Sequence, residues 1–320
     1  MIFKQLLTTG LALSLSACAL VQGEQTSNKQ ALISYPEYTG AYEGFTLVID
    51  ERFNTFNPEI WRKGDGAVGN ESLCRFQDQG IDVKDGLLNL IIQKEDIASS
   101  WSEDHQHMKK AYPYSCGELR TLPELKFRYG RIETRMKAPN RETASGYISS
   151  LFTYTNNYDP KAADAGNQEW EEIDVELEGG RPDKFQANLI YGKNTWEWWR
   201  TRNYGAWEDK IVVGPVDEWR VFAIEWLPDA IRWYVDGQLV KTLKQSDIDC
   251  QPECVGPQQF ATPIPDNPTS LFMNFWIPVD IIQDTFGGNK KDNIYPMITQ
   301  YDWFRYYQLD SHPASVKPFK

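Results

Sequence analysis

The chain has 320 residues, 24% charged and 41% hydrophobic, with 45 acidic against 33 basic side chains and a formal net charge of −12. That balance leaves no basic stripe to neutralise phosphates, so neither nucleic acid nor anionic lipid headgroups are expected partners. Polyanionic polysaccharides are disfavoured for the same reason, although a local Arg/Lys cluster could overrule the global sign. The three histidines, His105, His107 and His312, are too few and too scattered for a histidine zinc site or triad.

Lys4 precedes an apolar run over residues 6–15, far shorter than the ~20 residues of a spanning helix. The run ends in Leu15-Ser16-Ala17-Cys18, so residues 1–17 read as an export signal whose end resembles a bacterial lipoprotein box. Cys18 is then the lipidated first residue, and residues 18–38, with a polar run from Gln22 through Gln30, are its tether. Ala19 after the cysteine favours an outer-membrane or cell-surface location, with the lipid anchor as the sole membrane contact. Cys74, Cys116, Cys250 and Cys254 remain, an even number suited to an oxidising compartment, with three pairings open. Cys250 and Cys254 can close a small loop, and further metal ligands nearby are lacking.

Residues 39–310 contain no linker, charge block or repeat and read as one domain, with 311–320 as a tail. Short alternating segments separated by turn residues fill it: residues 87–92 after Lys84-Asp85-Gly86, residues 131–136 after Tyr129-Gly130, and residues 231–235 before Asp236-Gly237. Asp236-Gly237 is a two-residue hairpin signal. Many strands at short spacing, without sustained 3.6-residue periodicity, predict an all-β sandwich or barrel. Aromatics at 13% fit a β core, and Trp196, Trp198 and Trp199 offer platforms for a flat sugar face.

The segment from Gln168 to Glu178 carries the chemistry. With period two, one face holds Trp170, Glu172, Asp174, Glu176 and Glu178, and the other Glu171, Ile173, Val175 and Leu177. A solvated edge strand could carry such a face. Same-face neighbours ~7 Å apart repel, however, and nothing basic lies between them. Glu172 and Glu176 stand roughly 13 Å apart at Cα, and side chains leaning together bring the carboxyl groups to ~5–6 Å. Retaining glycosidases use such a spacing, one carboxylate attacking the sugar while the other donates a proton. Asp174 between them adds negative charge that helps keep one glutamate protonated. Calcium is a weaker use of the file, because side chains on a flat strand rarely converge on one ion.

Glu172-Ile173-Asp174-Val175-Glu176 resembles the catalytic Glu-x-Asp-x-Glu signature of glycoside hydrolase family 16, in the regular form of the bacterial lichenases. Residues 146–155 (GYISSLFTYT), Trp233-Tyr234-Val235-Asp236-Gly237, Met273-Asn274-Phe275-Trp276 and Tyr301-Asp302-Trp303 extend the likeness over roughly residues 41–308. The resemblance implies a two-sheet β-sandwich jelly roll with a concave substrate cleft. It makes Glu172 the nucleophile, Glu176 the acid/base and Asp174 the supporting carboxylate. It also implies sugar contacts from Asn70, Glu118, Arg120, Tyr154, Trp170, Asn188 and Trp276. A Cys74–Cys116 disulfide follows from it, which leaves Cys250 to pair with Cys254. A structural calcium at Asp302 and the Gly86 carbonyl is a further implication, while catalysis needs no cofactor. The chain departs from lichenases at Ile190, where they carry Tyr, and at residues 156–166 and 196–200. The expected activity is that of a monomeric retaining endo-β-glucanase acting on mixed-linkage β-1,3-1,4-glucan. Its rivals are a β-1,3-glucanase, a xyloglucan-active enzyme and a non-catalytic glucan-binding surface lipoprotein.

Overall fold

The computed structural model describes residues 32–67, 72–97, 112–156, 169–193, 204–248, 264–279 and 292–313. The chain divides after Ile33, and all the strands belong to the unit that starts at Ser34. Cys18 and the export signal, Asn70, residues 196–200 and the Cys250/Cys254 pair lie outside the described residues.

Two antiparallel sheets face each other across one apolar core. In the first, the spatial order is Tyr204–Val212, Lys184–Lys193, Glu169–Glu178, Ile148–Asn156, Ser270–Trp276, Tyr112–Thr121 and Trp61–Lys63. The acidic strand Glu169–Glu178 is therefore interior, hydrogen-bonded on both sides, and the edge-strand reading of its charges is excluded. In the second sheet, Met297–Leu309 pairs on one side with Phe45–Glu51 and Leu87–Ile97. On its other side follow Gly130–Lys137, Arg220–Trp226, Ala230–Val235 and Gln238–Lys244. Leu87–Ile97 joins the sheets by pairing onward with Tyr112–Thr121. Asp236 and Gly237 both take positive φ, 48° and 77°, as the tight turn expected between two strands requires.

Alternation decides which face of the acidic strand enters the core. Ile173, Val175 and Leu177 are completely buried, each worth about 1.5–3 kcal/mol, and hold the strand down against the repulsion on its other face. Phe185 meets Phe222 edge-on across the sheets, with ring centroids 5.6 Å apart. Two polar ties cross the same core. The Tyr301 hydroxyl donates to the Ser150 carbonyl at 2.8 Å, and Trp233 Nε1 donates to the Asp174 carbonyl at 2.9 Å.

Packing begins within the stretch whose composition reads as tether. The Tyr38 hydroxyl donates to Glu133 at 3.1 Å and its ring lies 5.5 Å from Trp303, on the outer face of the second sheet. The Cys74–Cys116 disulfide is present, closing a separation of 42 residues and tying Cys74–Phe76 to its parallel partner Tyr112–Thr121. Beside it, a Cβ on Gly117 would stand 2.0 Å from the Gly80 carbonyl oxygen. Only glycine permits that approach, which fixes the backbone next to Glu118.

Candidate active site

Register lays the open face of the first sheet out in rows, because directly paired residues share a face. Glu172 lies between Tyr154 and Ile190, with Ser270 beyond Tyr154. Asp174 lies between Phe152 and Asn188, with Phe272 and then Arg120 beyond Phe152. Glu176 lies between Ser150 and Gln186, with Asn274 and Glu118 beyond Ser150. Residues from five strands thus converge on the file of carboxylates.

The two outer glutamates have different surroundings. Glu172 accepts a hydrogen bond from Trp170 Nε1 at 2.8 Å, with the Tyr154 ring tilted 6.5 Å from that of Trp170. Such a donor stabilises a carboxylate that must stay ionised. Glu176 accepts from Gln186 Nε2 at 2.7 Å, yet its pKa is pushed up to about 8. Enclosure is the main cause, then the charges of Glu178 and Glu172, with Glu208 adding to them and Gln186 opposing. Glu176 can therefore hold a proton at neutral pH and release it to a bound group.

Asp174 is the most enclosed of the three. Burial, then Glu172 and Glu176, drive its pKa well upward, with Asn188 opposing. Both its oxygens are closed to solvent and lack a hydrogen bond of ordinary geometry. The charges that raise Glu176 are those of Glu178, Glu172 and Glu208. The physical reason for the shift of Asp174 is position, since the charge of a carboxyl group enclosed between two others is the one most opposed. A protonated Asp174 can donate toward Glu172, which raises its pKa further.

The remaining expected residues divide. Glu118 is nearly closed to solvent and sits at about 7, raised by burial and drawn back by Arg120, Arg62 and the Asn274 side chain. Arg120 is half-buried with its Nε 3.6 Å from Glu118. Asn188 is buried opposite Asp174, and Tyr154 opposite Glu172 is half-buried. Trp276, two residues beyond Asn274, aligns through Ile148 with Glu178 on the carboxylate face and presents 8% of its surface. Asn70 lies outside the described residues. Register brings Asp302 beside the Asp85-Gly86 turn, but Arg135 donates to its carboxylate at 2.6 Å. A guanidinium stands where a calcium ion would need bare oxygen, and no cluster of three metal-ligating side chains exists among the described residues. The donor set does not fit calcium.

Gln186, Ser150, Asn274, Glu178 and Trp233 join the site through contacts that form only in the folded sheets. The alternation of Gln186 with Asn188 on a strand was the available signal. The Trp233 hydrogen bond, reaching from the opposite sheet, left none.

A sandwich whose open face carries a carboxylate held by an N–H donor and a second one whose pKa is raised, on the same strand, has the parts of a glycoside hydrolase. The chain belongs to glycosyl hydrolases family 16, whose family model matches residues 69–291. It is 27% identical over 306 residues to a beta-glucanase of Bacillus subtilis, covering 94% of this chain and 95% of that one. A beta-glucanase of Brevibacillus brevis is 29% identical over 281 residues, covering 87% and 85%. Among solved structures, a β-1,3-1,4-glucanase (lichenase) from a mouse hindgut metagenome superposes with TM-score 0.58 at 26% identity, covering 82% of this chain and 99% of its own. A laminarinase catalytic domain of Thermotoga maritima gives TM-score 0.61 at 21% identity over 83% of this chain and 99% of its own, a likeness of fold.

Proposed function

We propose that the chain is a retaining endo-β-glucanase acting on neutral β-glucan, with mixed-linkage β-1,3-1,4-glucan as its preferred substrate. The observation that carries this is the contrast between Glu172, held by an N–H donor, and Glu176, raised to about 8, on one interior strand. The similarity to beta-glucanases over most of the chain, and to a lichenase structure, supports the substrate class.

In the proposed reaction a Glu172 oxygen attacks the anomeric carbon while Glu176 passes its proton to the departing glycosidic oxygen. The glycosyl–Glu172 ester forms as the glycosidic bond breaks. Glu176, now ionised, takes a proton from water, which displaces Glu172 and restores both groups. Neutral Asp174 donates toward the Glu172 carboxylate and orients it. Members of this family need no cofactor for that chemistry. We further propose lipid anchoring through Cys18 at the outer membrane or cell surface. Cys18→Ser should release soluble protein or leave unprocessed precursor, and identical detergent partitioning with wild type would contradict the anchor.

The test of function is hydrolysis of a panel of mixed-linkage, β-1,3- and xyloglucan polymers, with the anomeric form of the first product read by NMR. Cleavage of mixed-linkage glucan to an initially β product is expected. Preference for β-1,3-glucan or xyloglucan would move the specificity, and an initially α product would overturn the mechanism.

A further inference from the structure

An island of positive charge lies on the open face of this acidic molecule. Arg62 on Trp61–Lys63 pairs directly opposite Arg120 on Tyr112–Thr121, so the two side chains share the face that carries the carboxylates. Lys126 reaches the same face from a loop, its Nζ donating to the Ser270 hydroxyl at 3.2 Å. The three cations feel one another. Burial and then Arg120 lower the pKa of Arg62, and burial and then Arg62 lower that of Lys126.

Their compensation is incomplete. Arg62 is exposed and has no ion pair among the described residues, although Glu118 and Glu124 draw on it at longer range. Arg120 Nε is closed to solvent and makes no hydrogen bond; a Glu118 oxygen stands 3.6 Å away. Glu118 titrates at about 7, so near neutrality it carries only part of a charge. Repulsion between the paired Arg62 and Arg120 costs free energy that their shared neighbour Glu118 recovers only in part. An external anion would recover it.

We propose that Arg62, Arg120 and Lys126 form a subsite for an anionic substituent, a carboxylate or a sulfate ester, carried by the glycan on one side of the scissile bond. The inference rests on the glycanase reading and names a substrate feature for it. Ser270 is two strands from Glu172 and Arg120 three strands from Asp174. Arg62 is one strand further out, so at ~4.8 Å per strand the cations lie roughly 10–19 Å from the file, two to four sugar rings along a chain laid across the strands. Planar guanidinium groups suit either oxyanion. The net negative charge of the molecule still repels polyanions, so the subsite selects sparsely charged glycans.

The test compares the full chain with its Arg62→Gln/Lys126→Gln double variant on neutral mixed-linkage glucan and on lightly carboxymethylated and lightly sulfated forms of it. Cleavage is followed as kcat/KM, and binding is measured on both proteins with Glu172→Gln added. The double variant should bind and cleave neutral glucan within about two-fold of wild type. Its affinity for a charged form should fall about ten-fold, a difference that high salt erases. Loss confined to the carboxymethylated form assigns a carboxylate, loss confined to the sulfated form a sulfate ester, and loss on both a general anion. Equal affinities of the two proteins for both charged forms, or an equal loss on neutral glucan, would overturn the subsite while leaving the glucanase reading in place. Failure of wild type to cleave neutral glucan would remove the glucanase reading and the subsite together.

Discussion

Glu133 and Glu176 both sit on interior strands of this sandwich, but only Glu133 has an arginine. On the outer face of the second sheet, Arg131 donates to Glu133 at 3.0 Å and to Glu225 at 2.9 Å. Its guanidinium lies between the rings of Tyr42 and Tyr234, 4.0 and 4.7 Å from their centroids, and the Tyr42 hydroxyl donates to Glu133 at 2.6 Å. Nearby, Asp50 is held below its ordinary pKa. Burial works against that, but hydrogen bonds from Arg52 and Arg305 outweigh it. On the open face of the first sheet, Glu176 has an amide donor and like-charged neighbours, and the pKa of Asp174 between Glu172 and Glu176 is driven upward. The fold can enclose carboxylates with matched cations, and does so where they only hold structure. Where it leaves them unmatched, the cost is retained as chemistry.

That contrast can be broken from either side. Glu176→Gln should lower kcat on β-glucan by about 10²–10⁴, the range for a lost general acid. Glu133→Gln should leave turnover per folded molecule unchanged. Glu176→Ala should be milder on an activated aryl β-glucoside, whose leaving group needs little protonation. Arg131→Met should do the reverse, costing about 3–5 kcal/mol in denaturant unfolding by stranding two buried carboxylates, with kcat preserved in the folded fraction. If Arg131→Met were neutral for stability, the outer network would not be the structural counterpart claimed for it.

Trp233→Phe links the two regions, since Trp233 belongs to the second sheet and holds the backbone of Asp174 in the first. Losing that donor should cost about 1–3 kcal/mol and lower kcat more than KM, because the strand carrying both glutamates is less firmly placed. An unchanged kcat would make the tie structural only. The smallest effect is on pH-dependent stability. Glu176 rises from an ordinary 4.5 to about 8 on folding, so the folded state holds the extra proton between those values. Stability should therefore decline as pH rises through that window, and Glu176→Gln should flatten the decline in melting temperature.

Much of the open face was legible from alternation alone. Period two put Glu172, Asp174 and Glu176 on one face and Ile173, Val175 and Leu177 in the core, and Asp236-Gly237 marked its own hairpin. The partners of that face were harder to read. Ser270–Trp276 reaches Ile148–Asn156 across more than a hundred residues, and nothing local records such a pairing. The upward shift of the Asp174 pKa depends on enclosure by that pairing, and no local signal in the sequence records it. Tyr38 and Tyr42 looked like the end of a tether and the start of a domain. Their role over Arg131 and Glu133 exists only once the second sheet has formed.

The pH dependence of kcat/KM on mixed-linkage glucan tests the central claim most directly, because its alkaline limb reports the acid of the free enzyme. Glu176 must be protonated to act, so activity should be lost as pH rises through about 8. Glu178→Gln, which removes the largest charge raising Glu176, should move that limb to lower pH. An alkaline limb near the ordinary carboxylate range in wild type, or one that Glu178→Gln does not move, would contradict the account.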